Sequence, residues 1–278
     1  MKIRSDDAEI YYDVLGDGPA VVLLHAFPLH HGLWRPVAER LADAYRVVLM
    51  DLRGHGNSGT GDGPATMAKH AADVARVCDA AQVGKAVFGG VSIGGYVLFE
   101  FWRQLRERVS ALILADTRPQ ADDDQARTAR LQAAESVERT GPDAFCEALL
   151  QKLMAPSTLA NRPDLVRAAR EMMATATVAG IAANLRGLAQ RPDSVATLSG
   201  ITVPTLLLFG QEDRLSPVSD GELMRRHIAS SHLHPNAPKP GASGTPLQVV
   251  PGGAHLAVFE QQDATHDILR KFFHSLPR

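Results

Sequence analysis

Short, continuous apolar runs alternate with amphipathic stretches through the first 116 residues of the chain. Ala20–His25 and Arg46–Met50 lack a period-2 polar face, which is the pattern of strands buried on both sides of a parallel sheet. Ala8–Leu15 reads as an edge strand, closed by the turn signal Gly16-Asp17-Gly18-Pro19. Lys85–Gly89 and Ser110–Ala115 add two further buried strands. Between these runs the period changes. Trp34–Ala42 and Ile93–Glu107 have helical character, and in Thr66–Ala81 the residues Val74, Val77, Cys78 and Ala81 fall on one face at i, i+3, i+4 and i+7. Repeated alternation of strand and helix predicts an α/β fold: an open, mostly parallel central sheet with helices on both faces.

After Asp116 the alternation stops. Helical patterns follow one another at Gln125–Arg139, Asp143–Met154, Asp164–Met173 and Thr177–Ala189, punctuated by Pro156, Pro163 and Pro192. Sheet pattern returns at Thr205–Phe209 and Leu247–Val250, with helices near Gly221–Ile228 and at Gln262–Phe273. The expected organisation is a core domain made of residues 1–117 and 201–278, interrupted by an all-helical insert at 118–200. His234–Pro246, rich in Pro, Gly and Ser, is expected to be a surface loop.

The candidate chemistry sits where strands end. Gly90-Val91-Ser92-Ile93-Gly94 follows one strand and opens a helix, which is the context a Gly-x-Ser-x-Gly nucleophile turn requires. The competing phosphate-loop reading fails because Gly95 stands where lysine is needed, and Val91 occupies the middle glycine of a dinucleotide fingerprint. A serine needs a base, and the base needs an acid to orient it. In open α/β sheets such groups gather beyond the carboxyl ends of strands. His255 follows the last strand and Asp213 the one before it, giving the chain order Ser92, Asp213, His255. Asp116 also ends a strand and is the rival acid; Glu212 is only a neighbour. Two backbone N–H groups are needed for the oxyanion, and Ile93 and Phe27 are in position to supply them. Pro28 cannot donate, and it restricts Phe27 to extended geometry.

Composition narrows the class. The 278 residues are 45% hydrophobic, which is ample for a core, and the net charge of -2 offers no basis for binding nucleic acid or an anionic membrane. No apolar run is long enough to span a bilayer, and the N-terminus lacks the apolar stretch of a signal peptide. Cys78 and Cys146 fall in helical patterns and read as free, buried or half-buried thiols, so a cytoplasmic location is expected. The pairs His30-His31 and His232/His234 read as exposed loop histidines rather than metal ligands; no metal and no cofactor are expected. Asp51 and Arg53 are expected to pin the Asp51–Ser58 loop by charge-assisted bonds, and the Arg-rich helices of the insert to present solvated faces. Trp34, Phe101 and Trp102 read as packing residues.

On His25-Ala26-Phe27-Pro28, Asp51-Leu52-Arg53-Gly54-His55-Gly56-Asn57-Ser58, the turn at Ser92, Gly210-Gln211-Glu212-Asp213 and Gly253-Ala254-His255, the chain resembles the α/β-hydrolase-fold superfamily over essentially its whole length. Within it, the chain is most similar to small carboxylesterases, enol-lactonases and cofactor-free haloperoxidases. The resemblance implies a Ser-Asp-His hydrolase and equates the insert with the family's cap. Ala26 stands where the family usually has glycine, and Val91 where it often has His or Leu. The expected partner is a small ester or lactone, held in an apolar pocket to which Leu149, Leu150, Leu153, Met172, Met173 and Leu185 are candidates. C–C bond hydrolysis, perhydrolysis and a ligand receptor with vestigial turnover are the alternatives for the same triad.

Overall fold

The computed structural model describes residues 1–228 and 245–277; most of the expected 234–246 loop, with His232 and His234, lies outside them. Eight strands form one sheet: β1 (Lys2–Ser5), β2 (Ala8–Leu15), β3 (Ala20–Leu24), β4 (Arg46–Met50), β5 (Ala86–Val91), β6 (Val109–Ala115), β7 (Thr205–Gly210) and β8 (Leu247–Val250). Their spatial order is β1-β2-β4-β3-β5-β6-β7-β8, antiparallel at the first two pairings and parallel from β4 onward. The strands expected to be continuous and apolar are the central ones, and β5 and β7 are buried at every position. Two apolar layers, one on each face, complete the arrangement.

The expected edge strand is not the edge. Ala8–Leu15 pairs with β4 on one side and with β1 on the other. β1 escapes pattern reading because it has only four residues, of which only Ser5 is buried. The turn that joins it to β2 contains Asp6 at φ 50°, a conformation Asp tolerates better than most residues.

Between β6 and β7 the described residues contain helices and no strand. The longest are Asp124–Thr140, Asp143–Leu153, Pro163–Met173 and Val178–Ala189. Asp123 and Thr177 cap two of them by accepting from Ala126 N and Gly180 N. Two short helices, Pro156–Asn161 and Val195–Leu198, are too brief for periodicity to reveal. Val178–Ala189 lies directly on the core. Asn184 donates to the Arg53 carbonyl at 3.0 Å, and Ala65 N donates to the Ala183 carbonyl at 3.0 Å. A Cβ at Gly187 would stand 1.9 Å from the Ala65 carbonyl oxygen, so only glycine allows this approach.

The loop after β4 is the helix's seat, and it is tied down as its charges led one to expect. Buried Arg53 forks onto Asp73 at 2.7 and 2.8 Å and reaches Asp7 at 2.8 Å. Ser5 donates to the same Asp73 carboxylate. Asp51 accepts from His31 N at 2.8 Å and Asn57 N at 2.9 Å.

Candidate active site

The carboxyl ends of β3, β5, β7 and β8 converge on one cavity. β5 runs straight into Ser92, whose backbone is held at φ 54°, ψ -114°. This is a costly conformation for a residue with a side chain, and the surroundings impose it. Ser92 N donates to the Ala115 carbonyl at 3.0 Å, and Thr117 Oγ1 donates to the Ser92 carbonyl at 2.8 Å. The helix starting at Ile93 turns back so sharply that a Cβ at Gly90 would lie 2.4 Å from the Gly94 carbonyl carbon. That contact is the steric reason for glycine two residues before the serine.

His255 Nε2 lies 2.8 Å from Ser92 Oγ, and its Nδ1 lies 2.8 Å from Asp213 Oδ2. The other Asp213 oxygen accepts from Leu215 N at 2.7 Å and Ser216 N at 3.1 Å. Asp213 and His255 are both buried. The three residues therefore form an unbroken hydrogen-bonded series, in which a carboxylate fixes the proton on Nδ1 and leaves Nε2 free to accept from the serine. The rival acid is placed elsewhere. Asp116, fully buried, accepts from Gly210 N at 2.7 Å. Burial, reinforced by the Asp213 carboxylate, pushes its carboxyl well above the usual range. Asp116 is thus a buried acid that holds the end of β7, with no hydrogen bond to His255.

The Phe27 and Ile93 side chains border the same cavity, and neither backbone N–H finds an acceptor among the described residues. The Phe27–Pro28 peptide is cis. His25, expected at the end of a strand, instead begins the loop and braces it: its Nε2 accepts from Leu52 N at 2.9 Å. Complete burial keeps its imidazole pKa well below the usual value.

The cavity holds about 250 Å³. Its apolar wall is made by Phe27, Ile93, Leu149, Leu153, Leu188 and Leu215. Leu149 and Leu153 are among the expected residues. Leu150 and Met173 line a separate cavity with Cys146, while Met172 and Leu185 pack in the core. The expected apolar pocket also has polar lining, from Tyr96, Arg118, Asp122, Arg130 and Ser216. Most arginines of the insert helices are exposed as expected, among them Arg127, Arg139, Arg167 and Arg170; the exceptions include Arg130, which bonds Asp122, and buried Arg191, which bonds Asp122 at 3.0 Å and lies 3.9 Å over the Tyr96 ring. Pattern reading also missed Glu260. Its carboxylate accepts from Ala254 N at 2.8 Å, beside His255, and from Ala155 N at 2.7 Å in the helical segment. Arg118 and Thr117 did carry a usable signal, since both follow a strand end directly.

His30 and His31 are half-buried, not exposed, and a carboxylate does accompany them. With Asp51 they form a group whose potential ligand atoms lie within 4.8 Å of one another. His30 Nδ1 accepts from Gly32 N at 3.0 Å, and His31 Nδ1 is 2.7 Å from an Asp51 oxygen that also accepts from His31 N. These bonds brace the loop.

The profile of a family described as alpha/beta hydrolase fold matches residues 19–261. A 3-oxoadipate enol-lactonase of Acinetobacter baylyi is 28% identical over 235 residues, covering 83% of this chain and 86% of that protein. A pimeloyl-[acyl-carrier protein] methyl ester esterase of Xanthomonas campestris pv. campestris is 31% identical, covering 96% and 100%. Among solved structures, a thermophilic esterase from Thermogutta terrifontis superposes with a TM-score of 0.90 at 36% identity, covering 99% of this chain and 97% of that one. Among the described residues no helix is long and apolar enough to cross a membrane.

Proposed function

The chain belongs to the α/β-hydrolase-fold family, and on that footing we propose that it hydrolyses small carboxylic esters through an acyl-enzyme on Ser92. The observation that carries this reading is the hydrogen-bonded series Ser92–His255–Asp213 at the edge of a cavity. His255 takes the Ser92 proton as Oγ attacks the ester carbonyl. The N–H groups of Phe27 and Ile93, free of other acceptors, hold the oxyanion. His255 hands the proton to the departing alkoxide, then removes a proton from the water that releases the acid. Asp213 keeps the imidazole in the required tautomer and stabilises its charged form.

In the same reading, residues 1–117 and 201–278 are the catalytic core and 118–200 a helical cap whose Leu149, Leu153 and Leu188 form the roof of the site. The two unpaired thiols, Cys78 and Cys146, accord with a cytoplasmic location. Lactone opening is the second reading, favoured by the likeness to an enol-lactonase. It uses the same residues, with the leaving alcohol still tethered to the acyl group. Ser92→Ala should abolish both turnover of p-nitrophenyl esters and labelling by a fluorophosphonate, with the melting temperature kept. Labelling that persists in that variant would put the nucleophile elsewhere.

A further inference from the structure

The loop that carries His255 is held by its backbone from two sides, and one of them is the helical insert. On the core side, Glu212 N donates to the Gly253 carbonyl at 2.9 Å. The loop lies so close over the end of β7 that a Cβ at Gly210 would stand 2.1 Å from the Ala254 oxygen. On the other side run residues 153–155 of the insert. Leu256 N, just after His255, donates to the Leu153 carbonyl at 3.2 Å. Ala254 N, just before it, donates to Glu260 Oε1 at 2.8 Å. The other oxygen of the same carboxylate accepts from Ala155 N at 2.7 Å. Glu260 is buried, and the Thr158 side chain bonds it as well.

A buried carboxylate is costly, and burial raises the Glu260 carboxyl above its usual range. A well-packed apolar residue can fasten two segments as firmly. What the carboxylate adds is geometry: one planar group fixes two backbone N–H groups relative to each other. Here one belongs to the residue before His255, and the other to the stretch of the insert that gives Leu153 to the cavity. His255 Nε2 stands 2.8 Å from Ser92 Oγ, so a shift of about 0.5 Å takes that hydrogen bond past its working length. We propose that Glu260 is a positioning residue: by tying Ala254 N to Ala155 N, it sets His255 against Ser92 and makes the placing of the base depend on the insert. Glu260 acts through His255 and not on the substrate. This inference rests on the ester-hydrolase reading.

The test measures kcat and KM on p-nitrophenyl acetate and p-nitrophenyl hexanoate, together with the rate at which a fluorophosphonate labels Ser92. Glu260→Ala should lower kcat on both esters, and the labelling rate, by about 100-fold with KM kept, which is the cost of misplacing a catalytic group by about 1 Å. Glu260→Gln keeps the shape and one acceptor, and should recover part of the loss. If Glu260→Ala does not fold, Ala155→Pro takes its place and should show the same pattern. Ala155 sits at φ -62° and Met154 at φ -108°, ψ 151°, so proline suits the backbone there and deletes the insert's donor to Glu260. Losses confined to KM or to the longer ester, or labelling at the wild-type rate, would make Glu260 an anchor of the insert alone and overturn the proposal. If the wild type hydrolyses neither ester and takes no label, it is the ester-hydrolase reading that fails. The downfield NMR resonance of the His255 Nδ1 proton, identified by its absence in His255→Ala, then judges the positioning alone: a shift or loss in the folded variant upholds it, and an unchanged resonance overturns it.

Discussion

Two buried aspartates end neighbouring strands, and replacing each by asparagine should separate their roles. In Asp213→Asn the position of Oδ1 is dictated by Leu215 N and Ser216 N, which both donate to it. The amide oxygen must therefore occupy that place, and the NH2 group turns toward His255 Nδ1, 2.8 Å away. The imidazole can accept that bond only by carrying its proton on Nε2, the nitrogen that faces Ser92 Oγ. The serine is then left without a base. Losing the correct tautomer in a triad of this kind costs about 10⁴ in kcat, or about 5 kcal/mol of barrier. Asp116→Asn should behave differently. Burial pushes the Asp116 carboxyl well above its usual range, so a neutral amide is a mild replacement there, and its oxygen can accept from Gly210 N as the acid does. Its loss should stay within about 10-fold. The assay is kcat on p-nitrophenyl butyrate, with thermal melting to confirm that both variants fold. If Asp116→Asn lost more activity than Asp213→Asn, the assignment of the acid would be wrong.

Acid should weaken the fold through its buried histidines. Burial lowers the pKa of His55 to about 4, of His70 to about 3 and of His25 well below the ordinary value of 6.5. These side chains fold neutral and unfold charged, so their stabilisation is complete above about pH 6.5 and is lost as pH falls toward their folded values. Near pH 5 the three together give a slope of about 4 kcal/mol per pH unit. The carboxyls of Asp116 and Glu260, raised by burial, oppose this slope by gaining protons in the folded state, so differential scanning calorimetry should find the melting temperature only a few degrees lower at pH 5 than at pH 7; a melting temperature that rises toward pH 5 would contradict neutral burial of the histidines. Gly187→Ala tests how the helix Val178–Ala189 sits on the core. Helix propensity alone would stabilise the variant by about 1 kcal/mol. A Cβ 1.9 Å from the Ala65 oxygen forces the helix away instead, so the melting temperature should fall and KM for p-nitrophenyl esters should change. A rise in melting temperature would show that the contact yields.

The parts of the site that pattern reading reached share a physical cause. A parallel strand buried on both faces leaves a continuous apolar run, so its end is visible, and whatever follows that end lies at the mouth of the sheet. Ser92 and Asp213 follow such ends, while the proposed base His255 follows the half-exposed edge strand β8, whose run is short and includes Gln248. β1 leaves no such trace: with four residues and one buried side chain, only its partner shows that it is a strand. The insert hides its function for another reason. An amphipathic helix shows which residues turn inward, but not whether the inside is core or cavity, so Leu153 and Leu185 look alike although only Leu153 borders the site. Arginines are harder still, because an exposed guanidinium and one that bonds Asp122 beneath the insert have the same local pattern. Arg118 is the exception, standing three residues past the end of β6. The strand-end rule that points to Asp213 applies to it equally, and applied consistently it also puts a cation in the lining of the cavity beside Ser92.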